Sequence, residues 1–543
     1  MCCYSGDPED DPLLTSELSI SGSVVDDYGT VNGAIVRIQC TDRFTQTDSS
    51  GKFIFEGLNT NILVKLTAWA EGYYIAGGAE YPSGVDTILL HLIKIPVGDN
   101  PDYEWLSSYQ TEGKAGNCEN CHSESGGSLP FDEWILDAHS KSASNSRFLS
   151  MYLGSDVYGN QSPPTRFGYN RDYGYYPLPP KFDDTWFGPG YKLDFPSTQG
   201  NCAACHAPLL AVNNPYGIDP SILDGVAKEG INCDFCHKIW DVKLNEVTGL
   251  PNDNMPGVLS YDFRRPEDGH QFFAGPFDDV APGEDTYREI QNESAYCAPC
   301  HYAKFWDVEI YTSYGEWLAS PYSNTSAGQT CQDCHMPPGM TNRFATVLAG
   351  GNVRESSKIY SHLMPGARDE NLLRNSVTMS VNASRNDNEV SATVEITNNK
   401  TGHHVPTDSP LRHLILLVEA VNENGNRLEQ KSGSVLPDWC GIGDPNEGYY
   451  AKLPGKVYAK ILEDSWSGYI PTAAYWNRTR IISDTRLAAF ETDRTSFTFS
   501  DEYSGNITLC VSLLYRRAYK QLMDWKNWNE PDIVMVKETI EMN

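Results

Sequence analysis

The sequence predicts a multidomain protein with an N-terminal β-sandwich, a central domain of irregular and α-helical chain packed around bound cofactors, and a C-terminal β-sandwich. Two observations carry this. Apolar and polar residues alternate between Gly, Asp and Asn turns over residues 13–98, and the alternation returns beyond 375. Between them the periodicity fades, and one cysteine-rich pentapeptide recurs five times. The expected boundaries are an N-terminal segment (1–12), a β-sandwich (13–98), a linker (99–116), the cofactor domain (117–374) and a β-rich domain (375–543).

In the first region ELSISGSVVDD, GAIVRIQCTD, GKFIFEG, ILVKLTAWAEGYY and DTILLHLIKI read as strands, enough to enclose a small core. The run GSVVDDYGTVNGAIVRI…TDSSGKFIFEGL…LTAWAEGYY resembles the carboxypeptidase regulatory-like domain, which implies a binding or spacer module and no activity.

The central motifs are Cys118-x-x-Cys121-His122, Cys202-x-x-Cys205-His206, Cys233-x-x-Cys236-His237, Cys297-x-x-Cys300-His301 and Cys331-x-x-Cys334-His335. A structural zinc needs four ligands, commonly from two paired units, which five separate units fit badly. A redox dithiol explains the cysteines and leaves the following histidine unexplained. C-x-x-C-H is the attachment signature of haem c. Its thiols bond the porphyrin covalently, and the adjoining imidazole then lies under the iron as proximal ligand. Five haems c are therefore expected. The span from Cys118 to His335 is too short to build an apolar core around each, so the haems themselves form the core. The close spacing of the second and third motifs, and of the fourth and fifth, predicts two close haem pairs. PFDEWILDAHSKSASNSRFLSMYLG reads as helical, with Pro130 in its first turn, and the Tyr-, Pro- and Gly-rich chain 152–191 as irregular wrapping.

In the last region SVTMSVNAS, EVSATVEITNN, LRHLILLVEAV, TSFTFSDEY and ITLCVSLLYRR are strands. Outside the motifs stand Cys2, Cys3, Cys40, Cys440 and Cys510, an odd set in which a disulfide is expected, Cys440 and Cys510 being a candidate cross-link.

With 41 Lys and Arg against 72 Asp and Glu, the formal charge is −31. That sign excludes nucleic acid as a partner and suits a cationic redox protein. No apolar run reaches the roughly 18 residues of a transmembrane helix. The C-x-x-C-H motifs resemble those of c-type cytochromes, and that resemblance implies haem attachment outside the cytoplasm, so a leader removed from this numbering is expected, with a secreted or cell-surface location first and the periplasm second.

A haem that only passes electrons is closed by a second axial ligand, whereas one that turns over a substrate keeps a face open. Twelve histidines less five proximal ones leave His91, His139, His270, His362, His403, His404 and His413. EWILDAHSKSA, SHLMPGARDE, CQDCHMP, TGHHVPTDSPLRH and LLYRRAYKQLMDWKNWNEPDI resemble a large group of multihaem c-type cytochromes. The group includes the tetrahaem electron carriers of ammonia oxidisers and cytochromes that polymerise into extracellular filaments. The resemblance covers roughly residues 100–543. It implies distal ligation by His139, His362 and His403, the histidines of W-x-x-x-x-H, S-H-x-x-P-G and T-G-H-x-x-P-T. Relatives often carry a histidine before the fourth motif, where this chain reads TYREIQNESAYC. His270, just upstream, is the expected substitute. His404 faces the opposite way to His403 in extended chain and is the candidate for a fifth haem. His91 and His413 sit in apolar strands, as core residues or ligands.

The expected function is electron transfer to redox proteins or extracellular acceptors, with self-association into a homopolymer. The rival is a reductase of nitrogen or sulfur compounds with one open haem.

Overall fold

The computed structural model describes residues 18–59, 62–110, 117–324, 328–339, 341–386, 388–502 and 505–543. Cys2 and Cys3 lie outside them. At the N-terminus, Leu18–Asp26, Gly29–Thr30, Lys52–Leu58 and Ile88–His91 form one four-stranded sheet, and Ile35–Ile38, Phe44–Gln46, Leu63–Trp69 and Ala76–Pro82 another. Both contribute to a single core that includes Ile20, Val24, Val36, Phe53, Phe55, Leu66 and Leu90. Alternation decides which residues enter it: Phe53 and Phe55 are buried while Ile54 between them is exposed. Leu18–Asp26 and Ile88–His91 pair in parallel, and their close approach at Gly22 leaves no room for a side chain, since a Cβ there would lie 2.2 Å from the Ile88 carbonyl oxygen. The same alternation turns His91 outward, where it meets Asp27 at 3.1 Å, so it is neither core nor ligand.

This domain docks on the central one through buried polar contacts. Arg37 pairs with Asp278 at 2.7 Å, and Asp279 receives the Cys40 N–H at 2.7 Å and Arg354 Nη1 at 2.7 Å. Trp69 Nε1 donates to Thr286 Oγ1 at 3.0 Å. The Arg354 and Asp279 side chains are 7% and 3% exposed. Removing one partner from such a pair strands the other charge in the interface. Arg354→Ala is accordingly expected to cost about 3–5 kcal/mol and to lower the melting temperature of the holoprotein in calorimetry. Lys358→Ala, at the exposed pair with Asp42, should leave it nearly unchanged.

Each Cys-x-x-Cys-His motif forms a single helical turn. Cys118–His122, Cys233–His237 and Cys331–His335 are short helices, and Ala203–His206 and Ala298–His301 begin one residue after the first cysteine. Positions i, i+3 and i+4 share one helix face, so this turn presents both thiols and the imidazole to the same side. Local capping holds two of the turns: Thr330 and Asp333 cap one another reciprocally, and the Asn232 side chain accepts the Phe235 N–H. The helix expected over 130–154 is broken into Pro130–Trp134, the 3₁₀ turn His139–Lys141 and Ser146–Leu153, because Asn145 starts a new cap and Gly154 ends the last piece in the left-handed region. Pro130 does occupy the first turn. The stretch 152–191 is largely irregular, with one short hairpin pairing Phe167–Asn170 and Gly174–Pro177.

The C-terminal domain has a four-stranded sheet (Thr378–Asn386, Glu389–Thr397, Thr492–Ser500, Gln430–Ser432) and a five-stranded one (Thr479–Asp484, Gly455–Asp464, His413–Asn422, Ile507–Arg516, Ile533–Met542). Val394, Ile396, Leu416, Phe497, Leu509 and Val511 meet in their shared core. The proposed cross-link is absent: Cys40, Cys440 and Cys510 are all free. Cys440 packs beside Leu514, four residues along the strand from Cys510 and so roughly 13 Å away, beyond the reach of a disulfide. His413 is a core residue between Trp439 and Tyr519, its Nδ1–H on the Leu411 carbonyl. Among the described residues no helix is long and apolar enough to cross a membrane.

Candidate haem-binding cavity

All ten motif cysteines (Cys118, Cys121, Cys202, Cys205, Cys233, Cys236, Cys297, Cys300, Cys331, Cys334) and the five motif histidines line one continuous cavity of about 1360 Å³. His139, His362, His403 and His404 line it too, and His270 does not. Within it thiols of different motifs stand within hydrogen-bonding reach: Cys118 with Cys233, Cys205 with Cys300, and Cys297 with Cys331. The expected neighbourhood of the fourth and fifth motifs is found, Ala203 and Ala204 of the second motif share a buried cluster with Phe235 of the third, and the third motif also lies beside the first. Ser108, in the linker, joins the first and third motifs, for its carbonyl accepts the Glu119 N–H at 3.0 Å and its Oγ the Cys233 N–H at 3.3 Å.

Second partners orient the imidazoles. The Nδ1–H groups of His122, His237 and His335 donate to the carbonyls of Phe344, Ala274 and Pro365 at 2.6, 2.6 and 2.7 Å. That leaves each Nε2 unprotonated and available to a metal. His301 points its Nδ1 instead at Asp408 Oδ2, 3.3 Å away. Burial alone would depress this imidazole, but the Asp408 hydrogen bond and charge outweigh it and carry it up to about 9. His206 stacks on Phe148 with ring centres 3.8 Å apart, and burial holds it down at about 4.

A ligating imidazole nitrogen sits about 2 Å from its metal, so two rings holding one ion from opposite sides have centres roughly 6 Å apart. His139 and His301 are separated by 6.3 Å, and His335 and His403 by 6.2 Å. His362 is buried close to both His237 and His122; burial first, then those neighbours, push it down to about 4. Its N–H is anchored on Glu133 Oε2 at 2.7 Å. His404 reaches the wall but turns to Glu316, 3.5 Å away. His270, the expected substitute, is instead on the surface, 63% exposed and bonded to Glu284 at 3.0 Å, because its chain turns outward after the Arg265–Asp99 ion pair. Among the described residues no histidine faces His206. Tyr152, Tyr191, Tyr311 and Tyr475 lie close enough to Cys202 for its charge to bear on them.

The residues fit haem c. Among the described residues no three His, Cys, Asp or Glu converge as in a metal cage. Burial pushes the Cys202 and Cys236 thiols up to about 12, whereas hydrogen bonds from Cys205 and Cys297 carry the Cys300 and Cys331 thiols down to about 7. Arg147, Arg368, Arg412 and Arg517 line the same cavity, and burial with the Arg517 charge lowers Arg147 to about 10. Glu530 is shared between Arg147 at 3.4 Å and Arg517 at 3.3 Å, and a wall with more guanidinium groups than that one carboxylate suits the carboxylates of haem.

A penta-heme cytochrome c552 from Thermochromatium tepidum is similar in structure, with a TM-score of 0.52 and 18% identity over 78% of this chain and 97% of that one. The fold is that of a multihaem cytochrome. A family 123 glycoside hydrolase from Clostridium perfringens (TM-score 0.13, 9% identity, 31% of this chain and 27% of that one) and a PapD-like domain of human CEP192 (0.12, 9%, 33% and 85%) share too little to bear on it. No family model and no curated protein matches the chain. In this multihaem fold the sequence alone missed Asp137, Asp408, Tyr311, Tyr475 and the arginine wall. Asp408 follows TGHHVPT directly, so the ligand motif was the available signal.

Proposed function

We propose that the protein transfers electrons along five covalently bound haems c. Each is attached through the cysteines of one motif and held from below by His122, His206, His237, His301 or His335. The observation that supports this most is the meeting of thiols from different motifs inside one cavity, because it brings the attachment points of successive cofactors together. Haem c supplies a one-electron couple. The chain's own residues orient the imidazoles through carbonyls, close two sites with His139 and His403, offer His362 to a third, and exclude water with buried tyrosines and tryptophans.

The rest of the reading follows the chemistry of attachment and the resemblance. It places the protein outside the cytoplasm, secreted or at the cell surface, with redox proteins or extracellular acceptors as partners and head-to-tail self-association between copies. Reductive titration of the holoprotein should take up five electrons per chain, all returned to an added acceptor. Fewer than five, or haems that cannot be reoxidised, would sink the reading. Monodisperse monomers at high concentration, without fibres by electron microscopy, would remove the polymer.

One observation favours a second role, reduction of a small nitrogen or sulfur compound at Cys202/Cys205/His206. No described histidine faces His206, and four tyrosine hydroxyls, possible proton donors, surround that motif. Electron paramagnetic resonance should then show one high-spin haem whose signal changes when nitrite or sulfite is added. An entirely low-spin spectrum would leave only the conduit.

A further inference from the structure

The haem attached at Cys297 and Cys300 differs from the others in what lies behind its imidazoles. His122, His237, His335 and His403 all give their Nδ1–H to neutral backbone carbonyls. His301 meets the Asp408 carboxylate at 3.3 Å, and His139, whose ring stands 6.3 Å across from it, meets Asp137 Oδ1 at 2.6 Å. Both carboxylates are fixed from other directions. Asp137 is buried and also accepts the His139 backbone N–H at 2.9 Å, and Asp408 Oδ1 accepts Ser313 Oγ at 2.8 Å. Three further histidines, His91, His270 and His404, also meet carboxylates, but none stands across from a motif imidazole.

An anionic acceptor draws the Nδ1 proton away from the ring, so the ring donates more strongly through Nε2 and stabilises the higher charge on a bound metal. A carbonyl does this less. On the reading that the cavity holds five haems, we infer that Asp137 and Asp408 act together as positioning residues that give the haem at Cys297/Cys300 the lowest reduction potential of the five. Its place makes this consequential. Cys300 meets Cys205, and Cys297 meets Cys331, so this motif is the junction between the second and the fifth. A low-potential site at a junction sets an uphill step there, and electrons cross from one arm to the other only when the pool behind them is sufficiently reduced. The couple concerned takes up one electron, with no bond made or broken.

The test is a redox titration of the holoprotein with dithionite and ferricyanide, followed by low-temperature electron paramagnetic resonance, for the wild type, Asp408→Asn, Asp137→Asn and the double variant. Asparagine keeps the shape of the acceptor and removes its charge. In each single variant the lowest midpoint should rise, the reduced-to-oxidised ratio of that haem at fixed potential increasing about tenfold, or about 59 mV. The double variant should show a larger rise with the other four midpoints in place. Ser313→Ala strips a donor from Asp408, strengthens it as an acceptor and should move the same midpoint down, which a general loosening of the site would not do. Variants that keep five haems and their low-spin signals while no midpoint moves, or in which a higher midpoint moves instead, would overturn the inference. A wild type with fewer than five haems would overturn the underlying function first, and haem counting by mass spectrometry separates the two results.

Discussion

Cys331→Ala combined with Cys334→Ala is expected to yield a protein one haem lighter by mass spectrometry and far less stable than the wild type. The thiols are its only covalent hold, so four haems should remain. The energetic effect follows from what the haem covers. Tyr314, Trp317, Tyr322 and His335 line this part of the cavity, and they pack on one another only in part. A void of about 400 Å³ costs roughly 10 kcal/mol at about 24 cal/mol per Å³, as much as the whole stability of an ordinary domain. The variant should therefore melt much lower and be recovered in poor yield, and the same pair of changes at Cys202 and Cys205 should behave alike. Five haems retained in either variant would show that these motifs are not attachment sites.

The second large effect concerns the imidazoles across the cavity. His139→Gly and His403→Gly should each add one high-spin haem to the electron paramagnetic resonance spectrum of the oxidised protein, and the double variant two. Added imidazole should restore the low-spin signals, since glycine leaves the space open. The expectation rests on separations of 6.3 and 6.2 Å from His301 and His335. His270→Gly and His413→Gly provide the contrast. One imidazole is on the surface with Glu284 and the other lies between Trp439 and Tyr519, so neither change should alter a spin state. A spectrum indifferent to His139 and His403 would refute their ligation.

The parts of the site that were legible in the sequence are those made by residues close together in the chain. A helical turn is enough to place Cys331, Cys334 and His335 on one face, and alternation is enough to send Phe53 and Phe55 inward and Ile54 out. His139 and His403 stand in motifs that resemble those of other multihaem cytochromes, and the structure places their rings 6.3 and 6.2 Å from His301 and His335. His270 shows where such reasoning stops. It stands near the right place in the chain, but the turn after Arg265 carries it outward, and nothing local encodes that turn's direction. The Cys440–Cys510 pairing failed for a related reason: both residues border one sheet face, and only the packing of Leu514 reveals how far apart along that face they are.

By itself, then, the sequence determined that five Cys-x-x-Cys-His turns lie between two β-rich regions in an acidic chain, because each of those features depends on spacing within a few residues or on composition. Only the tertiary structure decided which motifs are neighbours, which histidine faces which, and that His301 and His139, facing one another, each have a carboxylate behind the ring. Those relations join residues such as His139 and His301, or Ser108 and Cys233, that come together only when long stretches of chain close around a shared core, and closure of that kind is settled by the packing of the whole molecule.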